Sequence, residues 1–238
     1  MSKSKTKFDP TSIKLSGIHV MKNSDKGFHE SWEKPRGRSI GCLPHPFTLC
    51  LLGIKNRGKT NLIVNIFLQH QTTAKPFERL IIVGPSNGAP EYAEMEPTAV
   101  LTDIPSLDNF DKKIKTLLIF DDWDATKLTA VQKRNLSQLF RCNTHVGLSI
   151  CISYQSFFDV PPIVRNCATQ FILWRMHNKI ETSAIAKKVG LNKNQLHYLV
   201  ETHLPGHYDN LMIDLSKDTP AFLRKNIFEE LPVPEIEE

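Results

Sequence analysis

The chain has 238 residues, which suits one domain and excludes two large ones, since single hydrophobic cores stop growing beyond about 250 residues. With 40% hydrophobic and 23% charged residues the composition is that of a globular protein, and no apolar run approaches the roughly 20 residues needed to cross a bilayer. The net charge of +5 resides in residues 1–38, where nine basic side chains face four acids, so the remainder is neutral overall.

The chain opens with MSKSKTKFDPT, lysine-rich and without the apolar stretch of a secretory signal, so no secretion and no membrane anchor are expected. Residues 1–40 read as a basic arm, able to meet nucleic acid or an acidic partner or simply to be solvated. After Pro44 and Pro46, FTLCLLGI (47–54) is a buried strand ending in glycine, and 61–71 a helix with Leu62, Ile63, Ile66 and Phe67 on one face. RLIIVGP (79–85) is a second strand, 86–110 loop and weak helix, and TLLIFDDWD (116–124) a third strand that turns abruptly acidic. A helix over 129–141 precedes the fourth strand, 146–155, and the fifth, 169–175, leads into helices near 181–189 and 194–202 and a late strand at 211–215. EELPVPEIEE closes the chain with five glutamates, so the expected organisation is an arm at 1–40, a domain at 41–228 and an acidic tail at 229–238. Cys42, Cys50, Cys142, Cys151 and Cys167 lack framework spacing and read as reduced residues.

Strands that are apolar throughout and alternate with helices predict an α/β fold, a mainly parallel sheet flanked by helices. Ligands of such sheets gather outside the C-terminal strand ends, where residues 53–60, 121–122 and 155 all fall.

Gly53-Ile54-Lys55-Asn56-Arg57-Gly58-Lys59-Thr60 matches GxxxxGK[ST] between a buried strand and a helix, the context that the phosphate-binding loop requires. Gly53, Asn56, Arg57 and Gly58 shape backbone N–H groups around a phosphate, with Asn61 in the helix N-terminal turn. Lys59 reaches the β- and γ-oxygens, and Thr60 is a ligand for Mg2+. Asp121 is the carboxylate expected beside Thr60, supplied by a strand next to the loop strand. Asp122 is the candidate general base, although aspartate reaches less far than glutamate, and the pair can also simply open a solvated turn. Gln155, at the end of the following strand, is a candidate γ-phosphate sensor or a surface amide.

This order of motifs resembles the RecA-like P-loop NTPases with an additional catalytic acid (the ASCE class), in which the acidic strand and its successor are expected to flank the loop strand. The chain further resembles the FtsK/HerA superfamily, most closely genome-packaging ATPases of poxvirus-like large DNA viruses and virophages. The resemblance runs from about Phe47 to Asn226 through GIKNRGKT, LLIFDDWD, LFRCNTHVGLSICISYQSFFDVPPIVRNCATQFILWR and LMIDL. It implies an ATP- and Mg2+-dependent motor that moves double-stranded DNA into a preformed capsid, built as a homo-oligomeric ring of five or six subunits. Capsid or vertex proteins are its further implied partners. Its implied place is the host-cell cytoplasm or the virus assembly site, with association to the virion a further expectation. Such rings aim an arginine at the neighbour's γ-phosphate; Arg141 is the first candidate and Arg165 the second, and either can instead pair with an acid at its helix end. Two alternatives stand beside this: a helicase or partitioning-type DNA ATPase, and an assembly module switched by nucleotide without motor activity. Cys142-x-x-His145 lacks a second pair at metal-ligand spacing, and Trp123, Lys187, Lys188 and Lys193 read as packing and solvated helix ends.

Overall fold

The computed structural model describes residues 43 and 45–236, apart from 73–75, 85–89, 94, 122, 126, 217–221 and 228, so the arm at 1–40 and Asp122 lie outside the described residues. In chain order these form β1 (Thr48–Leu52), α1 (Lys59–Gln71), β2 (Arg79–Val83), α2 (Pro90–Ala93), β3 (Ala99–Leu101), β4 (Thr116–Phe120) and α3 (Ala130–Cys142). There follow β5 (Leu148–Tyr154), α4 (Pro162–Cys167), β6 (Gln170–Trp174), α5 (Lys179–Val189), α6 (Lys193–His203), β7 (Asn210–Asp214), β8 (Phe222–Lys225) and β9 (Glu229–Leu231). No helix among the described residues is long and apolar enough to cross a membrane.

The strands make one sheet in the order β3-β2-β4-β5-β1-β6-β7-β8-β9, parallel from β3 through β6 and antiparallel beyond. β1, β4, β5 and β6 are buried at every position, because both faces of the sheet are covered. Successive residues alternate between the faces: Leu49, Leu51, Leu117 and Ile119 pack with Ile63, Ile66 and Phe67 of α1. Cys50, Leu52, Leu118 and Phe120 pack on the other side with Leu139 of α3, Ile185 of α5 and Leu199 of α6. The result is the expected three-layer α/β architecture. The start of α3 is set by a capping box, in which the Thr129 hydroxyl accepts from the Gln132 N–H at 3.2 Å and the Gln132 side chain accepts from the Thr129 N–H at 2.9 Å.

The strand order corrects one expectation. β4, which ends at the acids, does not lie beside the loop strand β1; β5 is inserted between them, and the neighbours of β1 are β5 and β6. Periodicity reports that a strand is buried but not beside which strand it lies. Asp121 therefore meets Thr60 across the end of β5.

Four short elements escaped sequence reading. β3 has three residues on a sheet edge and α4 six, both too short to show a period; β8 and the edge strand β9 are short and of mixed polarity. The sheet continues through Leu231, beyond the boundary expected at 228: Glu229–Leu231 pair with β8, and Glu230 accepts from the buried Arg224 at 2.7 Å. The carbonyls of Pro234 and Ile236 accept from Gln195 and Asn192 at the start of α6, at 2.9 and 3.0 Å.

Candidate functional site

The loop between β1 and α1 is shaped by residues that have little freedom. The Gly53 N–H donates to the Tyr154 carbonyl at 3.2 Å, and a Cβ at Gly53 would lie 3.1 Å from two side-chain atoms of Trp174, so a larger residue there would force the Trp174 ring to shift. Asn56 and Gly58 have φ of 62° and 83°, left-handed values that asparagine and glycine accept most readily. Gly58 caps α1 without any side-chain cap and the first turn holds no acid, an arrangement that suits a helix N-terminus to an anion.

Lys59 is buried, and its ammonium donates to the carbonyls of Gly53 at 2.7 Å and Ile54 at 3.1 Å. Beside it, Thr60 donates from its hydroxyl to Oδ2 of Asp121 at 3.0 Å, so the two expected motifs meet directly. Two further donors hold the same carboxylate. The Tyr92 phenol of α2 donates to Oδ2 at 2.7 Å, and the Ser153 hydroxyl of β5 donates to Oδ1. Burial first, and then the Asp121 charge, push the Tyr92 phenol well above its ordinary range, so it remains an O–H donor. The same causes, in the same order, raise the Cys151 thiol, and burial alone raises Cys50; both are inert residues of the core.

Lys55, Asn56, Arg57, Gly58, Lys59, Thr60 and Asn61 line a cleft of about 440 Å³ together with Glu91, Asp121 and Tyr208. A second cleft of about 510 Å³ shares Lys55 and is lined by Trp123, Asp124, Ser153 and Gln155, the last exposed just beyond β5. Trp123 packs on Phe120 with ring centroids 5.6 Å apart. All the sequence-derived loop residues, Asp121 and Gln155 thus share one edge of the sheet. Arg57 turns partly away from the cradle: its Nη1 donates to the His207 carbonyl at 3.1 Å.

Neither arginine proposed for a neighbour's site lines these clefts. Arg141 is exposed in the last turn of α3, which leads into the start of β5, so it sits toward the edge opposite the loop. Arg165, in α4, places its guanidinium 5.3 Å from the Phe157 ring centroid and borders a different cleft with Leu128, Phe158 and Asp159.

Sequence reasoning missed Glu91, Tyr92, Ser153, His207 and Tyr208. Ser153 carried a signal, as one of two serines, with Ser149, in a buried and mostly apolar strand; the others lie in segments without periodicity. The 204–209 loop reaches the site because β7 runs antiparallel to β6 and so begins at the site's edge. There the His207 ring meets the Asn56 carbonyl at 2.9 Å, and Trp174 donates from Nε1 to the Tyr208 carbonyl at 3.2 Å. The Tyr208 ring stands over the loop, 3.4 Å from where a Gly58 Cβ would be, and is 68% exposed. Among the described residues no group of three or more His, Cys, Asp or Glu side chains can hold a metal by itself. The Thr60 and Asp121 oxygens are the hard donor pair suited to an octahedral Mg2+ that takes its other ligands from phosphates and water.

No protein-family model and no curated protein matches the sequence. The fold, however, is that of solved P-loop NTPases. The genome packaging NTPase B204 of Sulfolobus turreted icosahedral virus 2, in complex with sulfate, superimposes with a TM-score of 0.55 at 23% identity, covering 77% of this chain and 98% of that one. The same protein in complex with ATP-gammaS matches with a TM-score of 0.53 at 20% identity, covering 79% of this chain and 98% of that one. The pCW3 conjugation coupling protein TcpA matches with a TM-score of 0.50 at 13% identity, covering 78% of this chain and 60% of that one.

Proposed function

We propose that this chain is a Mg2+-dependent ATPase of the FtsK/HerA type, a motor that drives double-stranded DNA into a viral capsid. The observation that carries the nucleotide reading is the Thr60–Asp121 hydrogen bond at the uncapped N-terminus of α1, beside the buried Lys59. The motor reading is supported by the sequence resemblance together with a fold shared with a viral genome packaging NTPase.

In this reading the α1 amides and the Lys59 ammonium hold the β- and γ-phosphates, with phosphate oxygens replacing the Gly53 and Ile54 carbonyls as partners of Lys59. Thr60 and Asp121 hold Mg2+, which when bound neutralises charge on the phosphates. Ser153 and Tyr92 fix the orientation of the Asp121 carboxylate. Asp122 polarises water as general base, Gln155 reads the γ-phosphate, and the exposed Tyr208 ring offers its face to the base. Arg141 is the first candidate for the finger supplied to the adjacent subunit of a five- or six-membered ring, a role for which an exposed arginine remote from its own loop is suited; Arg165, engaged with Phe157, is the second. Capsid or vertex proteins dock the ring, at the virus assembly site in the host cytoplasm.

The test is ATP hydrolysis with and without duplex DNA of increasing length. Turnover should rise with DNA length and fall with added salt, and it should vanish in Lys59→Ala and in Arg141→Ala, the latter recovering in mixtures with Lys59→Ala subunits. ATP binding without DNA-stimulated turnover would refute the motor and favour a nucleotide-switched assembly module. Preference for single strands with unwinding would favour a helicase.

A further inference from the structure

The plane of one peptide in the loop between β1 and α1 is set from outside the loop. The Asn56–Arg57 peptide is trans, so its carbonyl and its N–H point in opposite directions across one plane. The carbonyl meets Nε2 of His207 at 2.9 Å, and because a carbonyl only accepts, Nε2 carries the proton of this bond. His207 lies outside the lining of the cleft of about 440 Å³, whereas Arg57, Gly58 and Lys59 line it. Holding the carbonyl out on His207 therefore turns the Arg57 N–H toward the cleft, as one more donor for a phosphate oxygen.

Rotation about the two soft dihedrals beside this peptide would turn the whole plane over and put an acceptor where a phosphate needs a donor. Asn56 is exposed, so packing does not oppose that rotation. The element that does oppose it is firmly built. Asp209 holds the turn that carries His207: its Oδ2 accepts from the Gly206 N–H at 2.8 Å and its Oδ1 from Asn226 Nδ2 at 3.1 Å. Trp174 of β6 donates to the Tyr208 carbonyl at 3.2 Å, and Arg57 Nη1, donating to the His207 carbonyl at 3.1 Å, makes a second bond between the same two loops. The clasp is thus anchored in β6 and in the connection that follows β8, not in the loop it holds.

Resting on the nucleotide reading above, we propose that His207 is a positioning residue for the phosphate cradle, locking the Asn56–Arg57 peptide with its N–H toward the ligand before the ligand arrives. In this role it touches neither phosphate nor Mg2+. It raises the fraction of molecules whose cradle is already formed, and apparent affinity scales with that fraction.

The experiment measures tripolyphosphate binding to the full-length wild type, His207→Leu and His207→Gln, with Kd from calorimetry and rates from stopped flow; tripolyphosphate is the probe because it engages the cradle without a base. Leucine removes the donor, whereas the glutamine side-chain amide can restore it. The side chain is exposed, so both variants should keep the circular dichroism of the wild type. His207→Leu should bind about 2- to 13-fold more weakly, the worth of one neutral hydrogen bond, with the loss in the association rate and the dissociation rate unchanged, and His207→Gln should regain most of it. A loss below about twofold, a glutamine variant as weak as the leucine one, or a loss carried by faster dissociation would each overturn the lock. A wild type that binds no tripolyphosphate, or whose binding survives Lys59→Ala, would instead overturn the nucleotide reading on which the lock rests.

Discussion

Replacing Ser153 by alanine tests whether Asp121 is held as the structure shows. Ser153 is 1% exposed on β5 and donates to the carboxylate oxygen opposite the one engaged by Thr60 and Tyr92. A hydrogen bond to a charged group contributes about 1.5–3 kcal/mol net, so Ser153→Ala should destabilise by that amount and lower Tm by roughly 3–12 °C in a chain of this size. The assay is urea unfolding of the wild type, Ser153→Ala, Asp121→Ala and the double variant. With Asp121 gone the serine has lost this acceptor, so its removal should then cost less by the worth of this bond, which gives a coupling energy of about 1.5–3 kcal/mol. Additivity within about 0.5 kcal/mol would refute the reasoning, because it would mean that the two side chains do not share a bond.

Other outcomes follow from different parts of the molecule. Burial, and after it the Lys115 charge, lower His70 to about 3 and His45 to about 4, whereas both titrate near 6.5 when unfolded. The unfolded chain therefore holds more protons between these values, and stability should fall as pH drops from about 6.5 toward 3; His70→Leu should flatten that slope in pH-dependent urea titrations, and an unchanged slope would count against it. Gly53→Ala should cost about 1–3 kcal/mol by overpacking against Trp174, less in a Trp174→Leu background, as thermal unfolding would report. Tyr208→Ala should weaken ATP binding roughly 5- to 150-fold, the range of a stacked base, while leaving tripolyphosphate binding intact; equal losses for both ligands would show that Tyr208 only supports the loop.

Residue type and spacing along the chain were enough to locate the loop from Gly53 to Thr60, the acid at Asp121 and the buried strands, because each is a local pattern. Glycine and asparagine are demanded by left-handed backbone at Asn56 and Gly58, lysine and threonine follow at a fixed interval, and a strand covered on both faces must be apolar throughout. The order of those strands was another matter. That β5 separates β4 from β1, that Ser153 and Tyr92 converge on Asp121 from opposite sides, and that Glu91 and Tyr208 reach the loop from 31 or more residues away are consequences of packing. Such contacts join residues with no fixed separation, so their meeting is decided only when the crossover connections, and the antiparallel entry of β7, bring their ends to one edge of the sheet.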